Sequence, residues 1–87
     1  MRLLHEVRPQ YTRAALDAHI EGVVLVECVV REDGSVTDAS VARSLDQKYG
    51  LDEEAIKAAK QWKFEPGTKD GKSVPVRISI ELTFKLK

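Results

Sequence analysis

Val74-Pro75-Val76-Arg77-Ile78-Ser79-Ile80-Glu81-Leu82-Thr83-Phe84-Lys85-Leu86 alternates apolar and polar residues over thirteen positions. Period-two alternation is the mark of a strand with one buried and one wet face. A helix would scatter the same apolar residues around its circumference. Strands commonly run about 5–6 residues, so this pattern predicts an unusually long last strand. At the end of a short chain it is expected at a sheet edge. There, unpaired N–H and C=O groups are open to pairing with another chain.

Such an edge strand needs a central partner. Val23-Val24-Leu25-Val26-Glu27-Cys28-Val29-Val30 is apolar on nearly every position. Gly22, Val24, Val26, Cys28 and Val30 point one way, and Val23, Leu25, Glu27 and Val29 the other. A strand apolar on both faces belongs in the middle of a sheet, with part of its second face covered. The following Arg31-Glu32-Asp33-Gly34-Ser35 contains Asp-Gly, a strong hairpin signal. Val36 to Ser44 reads as the return strand. Val36 and Val41 differ in parity, so either a bulge intervenes or one of them covers the outer face.

Two helices complete the pattern. Thr12 is placed to cap a short helix through Arg13–Ala18, with Ala15, Leu16 and Tyr11 as its contact face. The stronger helix is Leu51 to Trp62. Asp52, Glu53 and Glu54 open it, with Asp52 as the expected N-cap, and Lys57, Lys60 and Lys63 lie toward its end. Both ends complement the helix dipole, and Glu53–Lys57 forms a favourable i,i+4 pair. Leu51, Ala55, Ala58, Ala59 and Trp62 share a face, and the small alanines allow close approach to a sheet. Pro66-Gly67 stops the helical pattern, and Lys69-Asp70-Gly71-Lys72 is a turn feeding the last strand.

The expected fold class is therefore α+β, with element order α-β-β-α-β. Its three antiparallel strands lie in the order 2-1-3, with both helices packed on one face. The chain has 87 residues, enough for one domain. Its core spans about 9–86, with 1–8 as an N-terminal extension.

Composition excludes several classes of function. The 14 basic and 14 acidic residues cancel, unlike the basic balance of a nucleic-acid binder. No run of about 18 or more apolar residues occurs, so nothing reads as a membrane span. The N-terminus lacks the apolar core of a signal peptide, which fits a chain that stays where it is made or a piece of a longer, targeted protein. The single cysteine, Cys28, sits among valines and reads as a small core residue. His5 and His19 have no partners at metal-ligand spacing, and no phosphate loop or nucleophile–base set is present. The carboxylates Asp52, Glu53 and Glu54 read as a solvated helix start. No enzyme activity, cofactor or metal is expected.

Several local motifs, in this order, resemble the C-terminal domain of TonB, the energy transducer of Gram-negative bacteria. They are Pro9-Gln10-Tyr11, Ile20-Glu21-Gly22-Val23-Val24-Leu25-Val26, Glu32-Asp33-Gly34-Ser35-Val36 and Val41 to Ser44. Leu51-Asp52-Glu53-Glu54-Ala55, Trp62-Lys63-Phe64-Glu65-Pro66-Gly67 and Gly71-Lys72-Ser73-Val74-Pro75-Val76 follow. The resemblance implies a periplasmic domain of a protein anchored in the inner membrane by a helix absent from this chain. It also implies TonB-dependent outer-membrane transporters as partners, gripped by a short "TonB box" peptide, with ExbB and ExbD acting on the absent N-terminal region to power nutrient uptake.

In the family the box adds as a strand beside the last strand. Here that strand supplies Val76, Arg77, Ile78, Ser79, Ile80, Glu81, Leu82, Thr83, Phe84 and Lys85. A second contact maps to Arg8, Pro9, Gln10 and Tyr11, with Thr12 standing where the motif has proline. Tyr11, Trp62 and Phe64 read as core residues. TonB-like domains also occur in proteins with other roles, so the alternative is a structural module that dimerises through its edge strand.

Overall fold

The computed structural model describes residues 2–86. Its centre is a three-stranded antiparallel sheet in the order β3-β2-β7. These strands are β2 (Gly22–Val30), β3 (Val36–Arg43) and β7 (Val76–Phe84). The remaining elements are β1 (Arg2–His5), α1 (Arg13–Asp17), α2 (Leu51–Lys60), β4 (Lys63–Glu65), β5 (Gly67–Lys69) and β6 (Lys72–Val74). The expected class, strand order and helix–strand sequence are all present. Four short strands, β1, β4, β5 and β6, add two further two-stranded ladders, β1-β4 and β5-β6.

β2 is central because it has apolar side chains to bury. Val24, Val26, Cys28 and Val30 are buried with Ile80, Leu82 and Phe84 of β7. Its second face carries Val23, 39% exposed, and the half-buried Leu25, Glu27 and Val29. Part of that cover comes from the neighbouring strand, where Arg77 reaches Glu27 at 3.1 Å. β2 and β7 pair without interruption from Gly22↔Phe84 to Val30↔Val76. The thirteen-residue alternation nevertheless yields a nine-residue strand. Pro75 has no N–H to give a ladder, and the chain divides there: Val74 pairs back onto Gly67, while β7 starts at Val76. Asp70 and Gly71 both take positive φ, 52° and 80°, as a tight two-residue hairpin turn requires.

β3 resolves the parity conflict by bulging. Its register against β2 shifts twice, between Leu25 and Val26 and between Glu27 and Val29, and Asp38 takes φ 53°. An extra residue at each shift lets Val36 be buried and Val41 also pack against the core.

α2 lays Leu51, Ala55, Ala58 and Ala59 on the sheet, all buried, and Ala15 of α1 joins the same core. Three helix details differ from expectation. Gly50, with φ 86°, is the N-cap of α2. Asp52 is buried inside the first turn, where its carboxylate accepts hydrogen bonds from the Ser44 hydroxyl and from the Leu45 (3.1 Å) and Asp46 (3.2 Å) amides. The cap position thus goes to a residue with no side chain, and Asp52 organises the preceding loop. Lys57 pairs with Glu54 at 3.1 Å, one residue closer in sequence than Glu53. In α1, Thr12 caps as expected by accepting from the Ala15 amide at 3.1 Å. Leu16 is 43% exposed, because a five-residue helix turned inward at Ala15 carries its neighbour about 100° away.

The β2–β3 turn is docked rather than free. Phe64 donates its amide to the Gly34 carbonyl at 2.9 Å, and Ser35 bridges to Lys63. Among the described residues, no helix is long and apolar enough to cross a membrane.

Candidate functional site

The far edge of β7 pairs with no strand among the described residues. In an antiparallel strand, alternate residues direct their N–H and C=O groups away from the neighbour they already have. β7 therefore presents a row of unpaired main-chain donors and acceptors. Its side chains are sorted by the sheet: Ile80, Leu82 and Phe84 are buried, while Arg77, Ser79, Glu81, Thr83 and Lys85 are exposed.

Along its C-terminal half this edge is walled. Glu6, Arg8, Pro9, Tyr11 and Trp62 stand opposite Glu81, Leu82, Thr83, Phe84 and Lys85 around an open cleft of ≈ 380 Å³. Its lining combines the apolar and aromatic side chains of Pro9, Tyr11, Trp62, Leu82 and Phe84 with two carboxylates, Glu6 and Glu81, and two cations, Arg8 and Lys85. Such a lining suits an extended chain, offering main-chain groups of β7 together with apolar contact and mixed charge.

The two candidate regions, far apart in sequence, thus meet. Arg8, Pro9 and Tyr11 line the cleft with Glu81–Lys85. Gln10 does not line it, and Val76 to Ile80 continue the open edge beyond it. Glu6 and Trp62 line it as well, though neither was a candidate from sequence. Trp62 read as core because it closed the apolar face of the expected helix, and only its contacts place it on the cleft as well.

Trp62 is half-buried, tilted against Phe64 with ring centroids 6.1 Å apart. It donates its indole N–H to the Val7 carbonyl at 2.7 Å. Tyr11 stands edge-on to Phe84 at 5.3 Å and donates its hydroxyl to the Ile20 carbonyl at 2.7 Å. Partial desolvation, and then the nearby Glu21 carboxylate, push the Tyr11 phenol above its usual range. Tyr11 is therefore a core anchor and a cleft residue at once. Phe64 is buried, as its core reading anticipated.

Burial, and then Glu27, raise the Cys28 thiol, which suppresses the reactive thiolate. Among the described residues no group of three or more His, Cys, Asp or Glu side chains is placed to hold a metal ion.

Residues 7–86 match the family model described as Gram-negative bacterial TonB protein C-terminal. The chain belongs to the TonB C-terminal family. It is 38% identical over 82 residues to Protein TonB of Vibrio cholerae serotype O1, covering 94% of this chain and 33% of that protein. It is 34% identical over 83 residues to Protein tonB2 of Pseudomonas aeruginosa, covering 95% of this chain and 30% of that one. The chain thus spans about a third of the length of these relatives. Among solved structures, it superposes with a TM-score of 0.77 on the solution NMR structure of the Pseudomonas aeruginosa TonB CTD. The identity there is 32%, covering 98% of this chain and 85% of that one. The TonB2 protein of Vibrio anguillarum gives 0.62 at 26% identity, covering 99% and 83%. In this TonB C-terminal domain the family match takes in both walls of the cleft from Val7 onward, whereas β1 precedes it.

Proposed function

We propose that this TonB C-terminal domain captures the TonB box of outer-membrane transporters as a strand added to β7, and passes on a pulling force that drives nutrient uptake. The observation that carries this reading is the unpaired β7 edge facing a wall made by Glu6, Arg8, Pro9 and Tyr11. Main-chain bonds to the edge supply affinity that tolerates varied sequences, and the cleft supplies side-chain discrimination. A strand pulled along its own axis loads all its ladder bonds together, so strand addition is suited to bearing tension. In this reading the domain works in the periplasm as part of a longer protein anchored in the inner membrane. ExbB and ExbD would engage that protein's N-terminal region.

An NMR titration of the isotope-labelled domain with TonB-box peptides tests the capture step. Shifts concentrated on the amides of Val76–Lys85, with a second group at Arg8, Gln10 and Tyr11, are expected. A folded monomer silent to several such peptides would refute it.

The nine-residue length of the open edge also supports a second reading, self-association through β7. Sedimentation across a concentration series distinguishes it, since a dimer paired along β7 would protect the same amides without peptide.

A further inference from the structure

The wall of the cleft is a suspended segment. β1 is tied to β4 by the pairs Arg2↔Glu65, Leu3↔Phe64 and His5↔Lys63. Trp62 directly precedes β4, and its indole N–H reaches the Val7 carbonyl two residues beyond β1. At the other end, the Tyr11 hydroxyl holds the segment to the Ile20 carbonyl. Arg8 and Pro9, between these anchors, face the edge strand across the cleft.

We infer that Trp62 is a positioning residue for peptide capture: its indole N–H fixes the wall at the distance from β7 that an added strand needs. The inference rests on the capture reading above. The bond joins residues 55 positions apart and carries the β1–β4 tie, whose last pair is His5↔Lys63, on to the start of the wall. A side chain needed only for bulk could be any large aromatic residue. The N–H donor is what distinguishes tryptophan here. Without it, the Val7 carbonyl turns to water and the wall is held only by the β1–β4 pairs and the Tyr11 hydroxyl, so a peptide must order it further on binding and binds more weakly.

The test removes the donor and keeps the shape. One variant is Trp62→Phe, and a second replaces the indole with the isosteric benzothiophene amino acid, which lacks the N–H. Both are expected to retain the native circular dichroism and the amide shifts of the buried β2 residues. Relaxation order parameters of the Val7, Arg8 and Gln10 amides are expected to fall in the peptide-free protein. Affinity for a TonB-box peptide is expected to drop about five- to tenfold, the scale of one lost hydrogen bond. Unchanged order parameters in the benzothiophene variant would overturn the pinning. A mobile wall with native affinity would overturn its role in capture while leaving strand addition intact. Failure of the unaltered chain to bind any such peptide would remove the capture reading, and with it the role assigned to Trp62.

Discussion

Asp52, in the first turn of α2, accepts a hydrogen bond from the hydroxyl of Ser44, eight residues earlier. The same carboxylate takes the amides of Leu45 and Asp46, and the Asp46 carboxylate in turn accepts from the amides of Lys48 and Tyr49. Two side chains thus satisfy the main chain of a loop that has no ladder of its own. Asp52 is only 8% exposed, so water cannot easily replace it. Asp52→Ala is expected to cost about 2–4 kcal/mol, because it strands several donors at once. The exposed neighbour Glu53→Ala should stay within about 0.5 kcal/mol of native. Urea denaturation of both variants checks the contrast.

Gly34 and Gly71 both have positive φ, 86° and 80°, but differ in what surrounds them. A Cβ on Gly34 would lie 2.0 Å from the Phe64 carbonyl oxygen, a main-chain atom with no freedom to withdraw. Nothing lies within 4 Å of one on Gly71. Gly71→Ala should therefore cost about 1 kcal/mol, the backbone term alone. Gly34→Ala should cost at least twice that and separate the hairpin from β4. Thermal melts rank the two, and loss of the Phe64 amide's exchange protection locates the damage.

The face assignment of β7 is testable at adjacent positions. Ile80 is 4% exposed and Ser79 is exposed. Ile80→Asp buries a carboxylate with no partner and is expected to unfold the chain, since its cost approaches the total stability of a small domain. Ser79→Asp should fold normally. Circular dichroism suffices, and equal behaviour of the two would mean that the strand presents its faces otherwise.

Acid should loosen the β2–β3 turn through Asp33. Its carboxylate accepts from the Ser35 hydroxyl at 2.6 Å and the Ser35 amide at 2.9 Å. These bonds, the hydroxyl first, hold its pKa below the usual carboxylate value. A carboxyl with a depressed folded-state pKa stabilises fully above its unfolded pKa and loses that contribution as pH falls through the folded one. The carboxyl carbon of Asp33 should titrate below an ordinary aspartate, and Ser35→Ala should move that midpoint upward. A midpoint unmoved in the variant would show that the hydroxyl bond has no part in the shift.

Much of this was legible in one dimension. The alternation of Val76 to Phe84, the apolar run of β2, the Asp-Gly turn and the amphipathic α2 each carry their signal within a few residues. Periodicity and turn chemistry are local properties. Sheet order followed from them, since the strand with most apolar surface must lie between the others. Two endpoints were misread for equally local reasons. Pro75 ended a strand that alternation alone would have continued, and Gly50 took the cap that Asp52's residue type suggested.

The cleft was only half legible. Arg8, Pro9, Gln10 and Tyr11 could be marked by resemblance to a family, and the β7 edge by its pattern, though Gln10 lies outside the cleft. That they face one another was decided by contacts across long separations: Trp62 to Val7, Tyr11 to Ile20 and β1 to β4. β1 has four exposed residues, so no buried periodicity announces it, and it is a strand only because β4 is beside it. The sequence alone determined the three long strands and the two helices, because each of these answers to its own neighbours along the chain. The tertiary structure decided where Asp52 and Trp62 would spend their hydrogen bonds, because those partners become neighbours only after the chain has folded.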